Sequence, residues 1–442
     1  MKKIHIKTWG CQMNEYDSSI IFKVLKKKFN CKKTNFPEKS DILILNTCSI
    51  REKAQEKLFH QLGRWKKLKN IKKKLIIAVG GCVATQEKKR IYKRAPFVDI
   101  VFGPKTIHHL PKMINLFKKN EKKIIKIKEN KLNKFKFFKI HSKRKISAYI
   151  SIMEGCNKCC SFCIVPYTRG KEISRSPEDI ILEAEFLSNN GTKEIILLGQ
   201  NVNSYKGKFI YGKNCKLSKL IQLISKIKKI KRIRFTTSNP MEFTKDLIKI
   251  YKKIPKLVNC LHLPVQSGSN KILKKMRRPY SISQYKKIIK KLKYIRPNIQ
   301  ITSDFIIGFP GETKKDFQKT LNLIKDIKFD MSFSFIYSPR PGTPAIRLND
   351  NTSLKEKKNR LYILQKKINK NTNFFSKKMI GTTQEVLIEK SIYQKNKNKL
   401  FGKTQNNRIV IFKGPLNLIG KIVFVKIYKA SLYKLKGTLI KK

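Results

Sequence analysis

Apolar residues in the N-terminal third of the chain come in short runs separated by longer stretches with helical spacing. The runs near Ile4–Thr8, Ile42–Asn46 and Leu75–Val79 predict strands, with amphipathic helices of about fifteen residues between them. Strands that alternate with helices in this way form a parallel sheet. Each predicted strand runs into a cysteine: TWGC ends at Cys11, NTC at Cys48 and GGC at Cys82. Ligands of an open parallel sheet gather beyond the carboxyl ends of its strands, so three residues far apart in sequence are expected to meet there.

The pattern lapses between Lys112 and Lys145, where fourteen Lys or Arg face two Glu. This stretch reads as a basic connector, centred on residues 119–145, that links an N-terminal unit (1–118) to a central one. From Ile146 the alternation resumes, with strands predicted at Ala148–Met153, Glu194–Leu198, Ile233–Thr237, Val258–His262, Ile299–Ser303 and Ser332–Tyr337. Each is followed by a polar, Gly- or Pro-rich loop: EGC, GQN, SNP, PVQSGS, DFIIGFPGET and SPRPGT. Six such units over residues 146–373 predict a partial or complete α/β barrel whose chemistry lies in those loops.

Beyond about Asn373 the helical spacing stops. Short β-prone runs at Glu385–Glu389, Leu400–Lys403, Arg408–Phe412, Ile422–Tyr428 and Thr438–Ile440, punctuated by glycines, predict a small antiparallel β-barrel over residues 374–442. Such a barrel binds nucleic acid or caps the preceding domain. The fold class is therefore α/β, with a C-terminal β-barrel added.

Composition narrows the partners. The 102 basic residues exceed the 28 acidic ones by 74, which favours a polyanion such as RNA. A chain rich in Lys, Ile, Asn and Phe throughout also acquires solvated lysines through compositional drift, so charge alone leaves RNA binding open. No apolar run approaches the roughly 20 residues of a membrane span, and the N-terminus has no apolar signal segment. The ten cysteines are sparse in 442 residues, and a reduced, cytoplasmic setting without a membrane is expected.

The segment GCNKCCSFC contains Cys-x3-Cys-x2-Cys at Cys156, Cys160 and Cys163, directly after a predicted strand. A register starting at Cys159 would need its third cysteine where Pro166 stands. A structural zinc site wants four ligands, and no further Cys or His follows within about twenty residues. Three thiolates on a 4Fe-4S cluster instead leave one iron open. With Phe162 before the last cysteine, this spacing resembles the radical S-adenosylmethionine superfamily. Cys31, Cys159, Cys215 and Cys260 match no such setting.

Further wording sharpens the likeness. GCQMNEYDS, LNTCSIREKAQEK, VGGC, PYTRGKE, LLGQNVNSY, HLPVQSGS and TSDFIIGFPGET resemble the radical S-adenosylmethionine methylthiotransferases, and the C-terminal runs resemble a TRAM domain. Gln12 stands where the threonylcarbamoyladenosine branch usually has Lys and the ribosomal-protein branch Pro-Lys. The branch resembled is the one that modifies isopentenyladenosine in tRNA.

The resemblance implies an auxiliary 4Fe-4S cluster on Cys11, Cys48 and Cys82, and a second cluster on Cys156, Cys160 and Cys163 whose open iron chelates S-adenosylmethionine. It implies that Gly199, Gln200, Asn201, Ser303 and Asp304 lie near that cofactor. The implied reaction adds a methylthio group to ring carbon 2 of isopentenyladenosine at position 37 of tRNA, beside the anticodon. S-adenosylmethionine would serve as both methyl donor and radical source. An electron donor protein such as a flavodoxin or ferredoxin and a sulfur donor or carrier follow as partners. Alternatives are the same chemistry on threonylcarbamoyladenosine or a ribosomal protein, and a noncatalytic iron–sulfur RNA-binding protein. Arg277, Arg278, Arg340 and Arg347 are candidate phosphate contacts, and Tyr428, Tyr433, Phe401 and Phe412 candidate stacking residues. His262 reads as structural.

Overall fold

The computed structural model describes residues 1–49, 52–129, 135, 145–236, 238–394 and 397–440. Much of the basic connector and Thr237, at the end of a predicted strand, lie outside the described residues.

The N-terminal unit is a six-stranded parallel sheet. Its strands are β1 (Lys3–Trp9), β2 (Lys32–Lys33), β3 (Ile42–Thr47), β4 (Ile76–Gly81), β5 (Ile100–Phe102) and β6 (Ile124–Lys126), in spatial order β2-β1-β3-β4-β5-β6. Helices α1 (Gln12–Phe29), α2 (Glu52–Ile71), α3 (Cys82–Glu87), α4 (Arg90–Arg94) and α5 (Leu110–Asn120) connect them. Strand β3 reads as an unbroken apolar run because both its faces are covered. Ile42 and Ile44 pack with Ile20 and Val24 of α1, and Leu43 and Leu45 pack with Leu58 and Leu62 of α2.

The basic connector begins as part of this sheet. Helix α5 runs to Asn120, and β6 pairs in parallel with β5. Three residues show no period, and lysines flanking an edge strand are a common guard against edge-to-edge pairing, so the element was hidden in the sequence.

The central unit contains β7 (Ser147–Ser151), β8 (Met153–Glu154), α6 (Val165–Arg169), β9 (Ile173–Ser174), α7 (Pro177–Asn189), β10 (Glu194–Leu198), the hairpin β11 (Lys206–Lys208) and β12 (Asn214–Lys216), and α8 (Leu217–Ser225). It continues through β13 (Arg232–Phe235), α9 (Lys245–Lys253), β14 (Cys260–His262), α10 (Asn270–Lys275), α11 (Ile282–Ile295), β15 (Gln300–Thr302), β16 (Asp304–Ile307), α12 (Lys314–Ile327), β17 (Phe333–Ile336) and α13 (Leu354–Lys377). Strands β7, β10 and β13 form one parallel sheet, and a bridge from Ile233 to Leu257 leads on to β14 and β15.

DFIIGFPGET reads as a loop in sequence, but its first four residues are β16, which pairs in parallel with β17. Strands β15 and β16 are thus one strand broken at Ser303, whose buried hydroxyl accepts the Val265 N–H at 2.9 Å. The polar Ser-Asp pair marks a bend rather than the strand's end. The result is a partial barrel. Ile195 and Leu197 of β10 enter its helix-covered core, while Ile196 and Leu198 join the N-terminal apolar cluster.

The C-terminal strands β18 (Thr383–Gln394), β19 (Lys397–Thr404), β20 (Ile409–Phe412), β21 (Ile422–Ala430) and β22 (Lys434–Leu439) close in the order β18-β19-β20-β22-β21. Four of the five pairings are antiparallel, and β20 with β22 is parallel. This barrel caps the amino ends of the central strands. Arg232, the first residue of β13, donates to the carbonyls of Lys403 (2.6 Å) and Glu385 (3.0 Å). Fully buried Arg408 donates to both carboxylate oxygens of Asp330 (2.8 and 2.9 Å) and to Gln300 at the start of β15 (2.7 Å). Among the described residues no helix is long and apolar enough to cross a membrane.

Candidate metal centres

Strand register brings the first cysteine set together. Trp9 lies beside Thr47, and Thr47 beside Gly81, so Cys48 and Cys82 follow at one level and Cys11 comes one residue later, after Gly10. Gly10 has φ 147°, and a Cβ there would stand 2.5 Å from the Cβ of Cys48. Gly81 has φ 94°, and its Cβ would meet the Thr47 carbonyl at 2.4 Å. Both positions need glycine for the chain to approach so closely.

Cys11 is the N-cap of α1 and Cys82 the first residue of α3, so both thiols sit at helix amino ends that favour negative charge. The Cys48 thiol, hydrogen-bonded to Cys11, brings the latter down to about 6, aided by the charge of Arg169 and opposed by burial. Burial pushes Cys82 up although Arg169 counters it. Behind them, Asn14 Oδ1 lies 3.4 Å from Cys11 Sγ, and Asn46 Nδ2 donates to the Asn14 carbonyl at 2.9 Å.

The second set occupies the loop after β8. The Cys156 N–H donates to the Gly170 carbonyl (3.1 Å), the Cys163 N–H to the Cys160 carbonyl (3.1 Å), and Ser161 pins the loop to the Lys275 and Met276 carbonyls at 2.8 and 3.1 Å. Phe162 packs against a small cluster of Ile272, Met276, Phe309, Tyr337 and Ala345. Burial pushes Cys156 up to about 11 and Cys163 up to about 12, with the neighbouring thiols adding to both shifts and Arg278 opposing the latter. Cys159 is exposed, outside the set.

Among the described residues, the ligand atoms of neither cysteine set all lie within 4.8 Å of one another; His108, His109 and Glu129 do. Ligands of a single ion crowd together, whereas thiolates on different irons of a cubane need not. Three buried or half-buried thiols at each place therefore fit a cluster better than a lone ion.

Of the residues expected near the cofactor, Gln200 accepts the Gly155 N–H at 2.7 Å and so braces the Cys156 loop. Gly199 lies against Met153, where a Cβ would stand 2.5 Å from Cγ. Buried Asn201 hydrogen-bonds Glu242, which also pairs with Lys158 at 2.7 Å. Ser303 is enclosed, and Asp304 faces His262 Nε2 at 3.4 Å.

Sequence reasoning missed several groups around these sites. Glu172 hydrogen-bonds Ser204 beside the loop cysteines, and burial raises its pKa. Its only signal was membership of PYTRGKE. Arg278, proposed as a phosphate contact, has its guanidinium 5.9 Å from the Phe162 ring and faces the loop thiols. Arg340 is buried, while Arg277 and Arg347 are exposed. Tyr428 and Tyr433 are exposed, Phe401 lies under Lys390 and Phe412 is core. Arg169, ending α6, is buried between Asp17 and Glu154 and had no individual signal.

Comparison with known proteins adds three family matches. Residues 3–103 match an uncharacterized protein family, UPF0004; residues 150–324 match the Radical SAM superfamily, and residues 377–440 the TRAM domain. A tRNA-2-methylthio-N(6)-dimethylallyladenosine synthase of Buchnera aphidicola subsp. Baizongia pistaciae is 60% identical over 99% of this chain and 98% of its own length. The protein of the same name from Mannheimia succiniciproducens is 52% identical over 100% of this chain and 93% of its own. Among solved structures, the radical S-adenosylmethionine methyltransferase TsrM from Kitasatospora setae aligns with a TM-score of 0.56 at 10% identity, over 78% of this chain and 75% of its own. This last likeness concerns the fold.

Proposed function

The chain belongs to the family of tRNA-2-methylthio-N(6)-dimethylallyladenosine synthases, which are radical S-adenosylmethionine methylthiotransferases, and from that membership we propose its reaction and the residues that serve it. The reaction is transfer of a methylthio group to ring carbon 2 of isopentenyladenosine at position 37 of tRNA. The observation that carries this reading is the pair of three-thiol sets, one at the strand ends of a parallel sheet and one in a loop of the adjoining partial barrel.

In this reading Cys156, Cys160 and Cys163 hold a 4Fe-4S cluster, and Cys11, Cys48 and Cys82 hold a second. A three-thiolate cluster with an open iron supplies, when S-adenosylmethionine binds there, the reductive cleavage that yields a radical. The target C–H between two ring nitrogens is not acidic enough for a side-chain base, which is why a radical is required. Gln200 holds the Cys156 loop through Gly155, and Gly199, Asn201, Ser303 and Asp304 line or support the cofactor's side of the barrel. Phe162 and Arg278 keep the loop packed and balance its thiolates.

The tRNA is bound through its phosphates by the basic surface, consistent with the net charge of +74. The C-terminal barrel serves twice, capping the central strands with Arg408 and offering exposed Tyr428 and Tyr433 for stacking. A flavodoxin or ferredoxin supplies electrons, a separate donor or carrier supplies sulfur, and the tRNA substrate sets the cytoplasm as the place of action.

The test is mass spectrometry of tRNA nucleosides after anaerobic incubation of the reconstituted protein with isopentenylated tRNA, S-adenosylmethionine and reductant. A 2-methylthio product that Cys160→Ala fails to make is expected. Cleavage of S-adenosylmethionine with this tRNA left unmodified would overturn the substrate assignment, and threonylcarbamoylated tRNA would then be the substrate to assay.

A further inference from the structure

One short segment of the central unit reaches both thiol sets. Helix α6 ends at Arg169, which is 2% exposed and is contributed to the N-terminal site from across the unit boundary. Its Nη2 donates to Asp17 Oδ2 of α1 at 2.8 Å, and its Nη1 to Glu154 Oε1 of β8 at 2.6 Å. Helix α6 packs against α3, whose first residue is Cys82, and Asp17 lies on α1, whose N-cap is Cys11. The next residue, Gly170, accepts the N–H of Cys156 at 3.1 Å. Gly155 lies so close to this segment that a Cβ there would stand 2.1 Å from the Lys171 carbonyl and 2.5 Å from that of Gly170.

A buried guanidinium is costly unless it is paired, and one carboxylate would neutralise it. Here two nearly fully buried carboxylates converge on it, Asp17 at 1% and Glu154 at 0% exposure. The three charged groups sum to minus one before any thiolate is counted, so without the arginine the neighbourhood would repel thiolates and added electrons alike. The fork of Arg169 is fixed by a carboxylate from each unit, which holds its charge beside the cysteine-bearing ends of α1 and α3 rather than free to swing away.

We propose that Arg169 is a positioning residue for the Cys11, Cys48 and Cys82 site: its fixed positive charge holds those thiolates, raises the reduction potential of the iron–sulfur group they bind, and ties that group to the Cys156 loop. This rests on the reading that the three cysteines hold a cluster, and the test separates the two. The full chain carrying Cys156→Ala, Cys160→Ala and Cys163→Ala is reconstituted anaerobically, so that one site remains. Its iron content and electron paramagnetic resonance report whether a cluster forms at all; if none forms, the cluster reading fails and the proposal falls with it.

Where a cluster forms, its midpoint potential is measured by redox titration in that background and with Arg169→Met, Arg169→Lys and Asp17→Asn added. The expected order runs from Asp17→Asn, most positive, through the parent and Arg169→Lys, to Arg169→Met, most negative. A purely structural ion pair would change thermal stability in these variants and leave the potentials alike, which overturns the proposal. If Arg169→Met loses its iron, the lysine and asparagine variants decide: shifts of opposite sign support the electrostatic role, and equal potentials sink it.

Discussion

The two thiol sets are built by opposite means. Cys156, Cys160 and Cys163 share one loop, and their spacing is written locally. Cys11, Cys48 and Cys82 are separated by 37 and 34 positions and meet because three parallel strands end together. Their electrostatics also differ. The first set is half-buried in a loop where desolvation drives Cys156 and Cys163 up to about 11 and 12. At the second, a thiol–thiol hydrogen bond, helix amino ends and Arg169 favour charge, and Cys11 falls to about 6. Metal binding displaces thiol protons, so Cys11 is poised to bind as a thiolate, whereas buried Cys82, like Cys156 and Cys163 of the loop, must give up a proton when a metal group binds.

The sharpest way to break this comparison is to remove one thiol from each set. Cys160→Ala is expected to abolish both S-adenosylmethionine cleavage and methylthiolation. Cys48→Ala should abolish methylthiolation and leave cleavage, because the sheet-edge set is read as the auxiliary site. Quantifying 5′-deoxyadenosine and modified nucleoside in the same reactions checks the split. Equal loss of cleavage in both variants would remove the division of labour.

A smaller effect tests whether topology alone assembles the sheet-edge site. Gly81→Ala places a methyl 2.4 Å from the Thr47 carbonyl at φ 94°, a strain of about 1–3 kcal/mol. The expected outcome is about half the iron of the parent after reconstitution, with S-adenosylmethionine cleavage retained. Gly155→Ala, crowding Lys171 at φ 82°, should give the reverse, losing cleavage first. Iron analysis paired with the cleavage assay distinguishes these patterns from general unfolding, which would lower both together.

How much of this was legible follows from the same contrast. The loop set has a local spacing that can be read, and the convergence of Cys11, Cys48 and Cys82 follows from the rule that parallel strands deliver residues to their carboxyl ends, whereas their role as a ligand set came only from the family resemblance. Strand β6 was hidden because three residues between lysines carry no period. The break at Ser303 looked like a strand end because a polar pair marks either. Arg169 could not be singled out, since no pattern in the chain says that residue 169 meets residues 17 and 154. That Arg278 also neighbours the loop cysteines was hidden for a related reason: sequence gives a charge but not its surroundings, and this guanidinium lies by the Phe162 ring and the thiols. Capping by the C-terminal barrel was one of the two readings open in sequence, but the contacts that dock it were not visible, because Arg408 reaches Asp330 only in the assembled fold.

The finest test concerns the thiols before any metal arrives. In cluster-free protein near neutral pH, Cys11 at about 6 is mostly thiolate, while Cys163 at about 12 is on the order of 10⁵-fold less ionised. The thiolate is the nucleophile, but a lower pKa makes it a weaker one, and with a Brønsted coefficient of about 0.4–0.5 the advantage shrinks to roughly 10²-fold. Peptide-resolved mass spectrometry after anaerobic iodoacetamide pulses should show Cys11 alkylated about a hundred times faster than Cys163. The pH dependence of stability takes opposite signs at Cys11 and at the loop thiols, and raised Cys82 falls on the loop thiols' side. Cys11 is depressed below the ordinary 9.0, so its contribution is complete above pH 9 and is lost as pH falls through about 6. Cys156 and Cys163 are raised, so theirs is complete below pH 9 and is lost as pH rises towards 11 and 12. Cys11→Ser should therefore flatten the acid limb of the cluster-free protein's stability profile and leave the alkaline limb intact, as read by urea midpoints. Similar alkylation rates at Cys11 and Cys163, or an acid limb unchanged in Cys11→Ser, would mean that the two sites do not differ electrostatically and that only their assembly separates them.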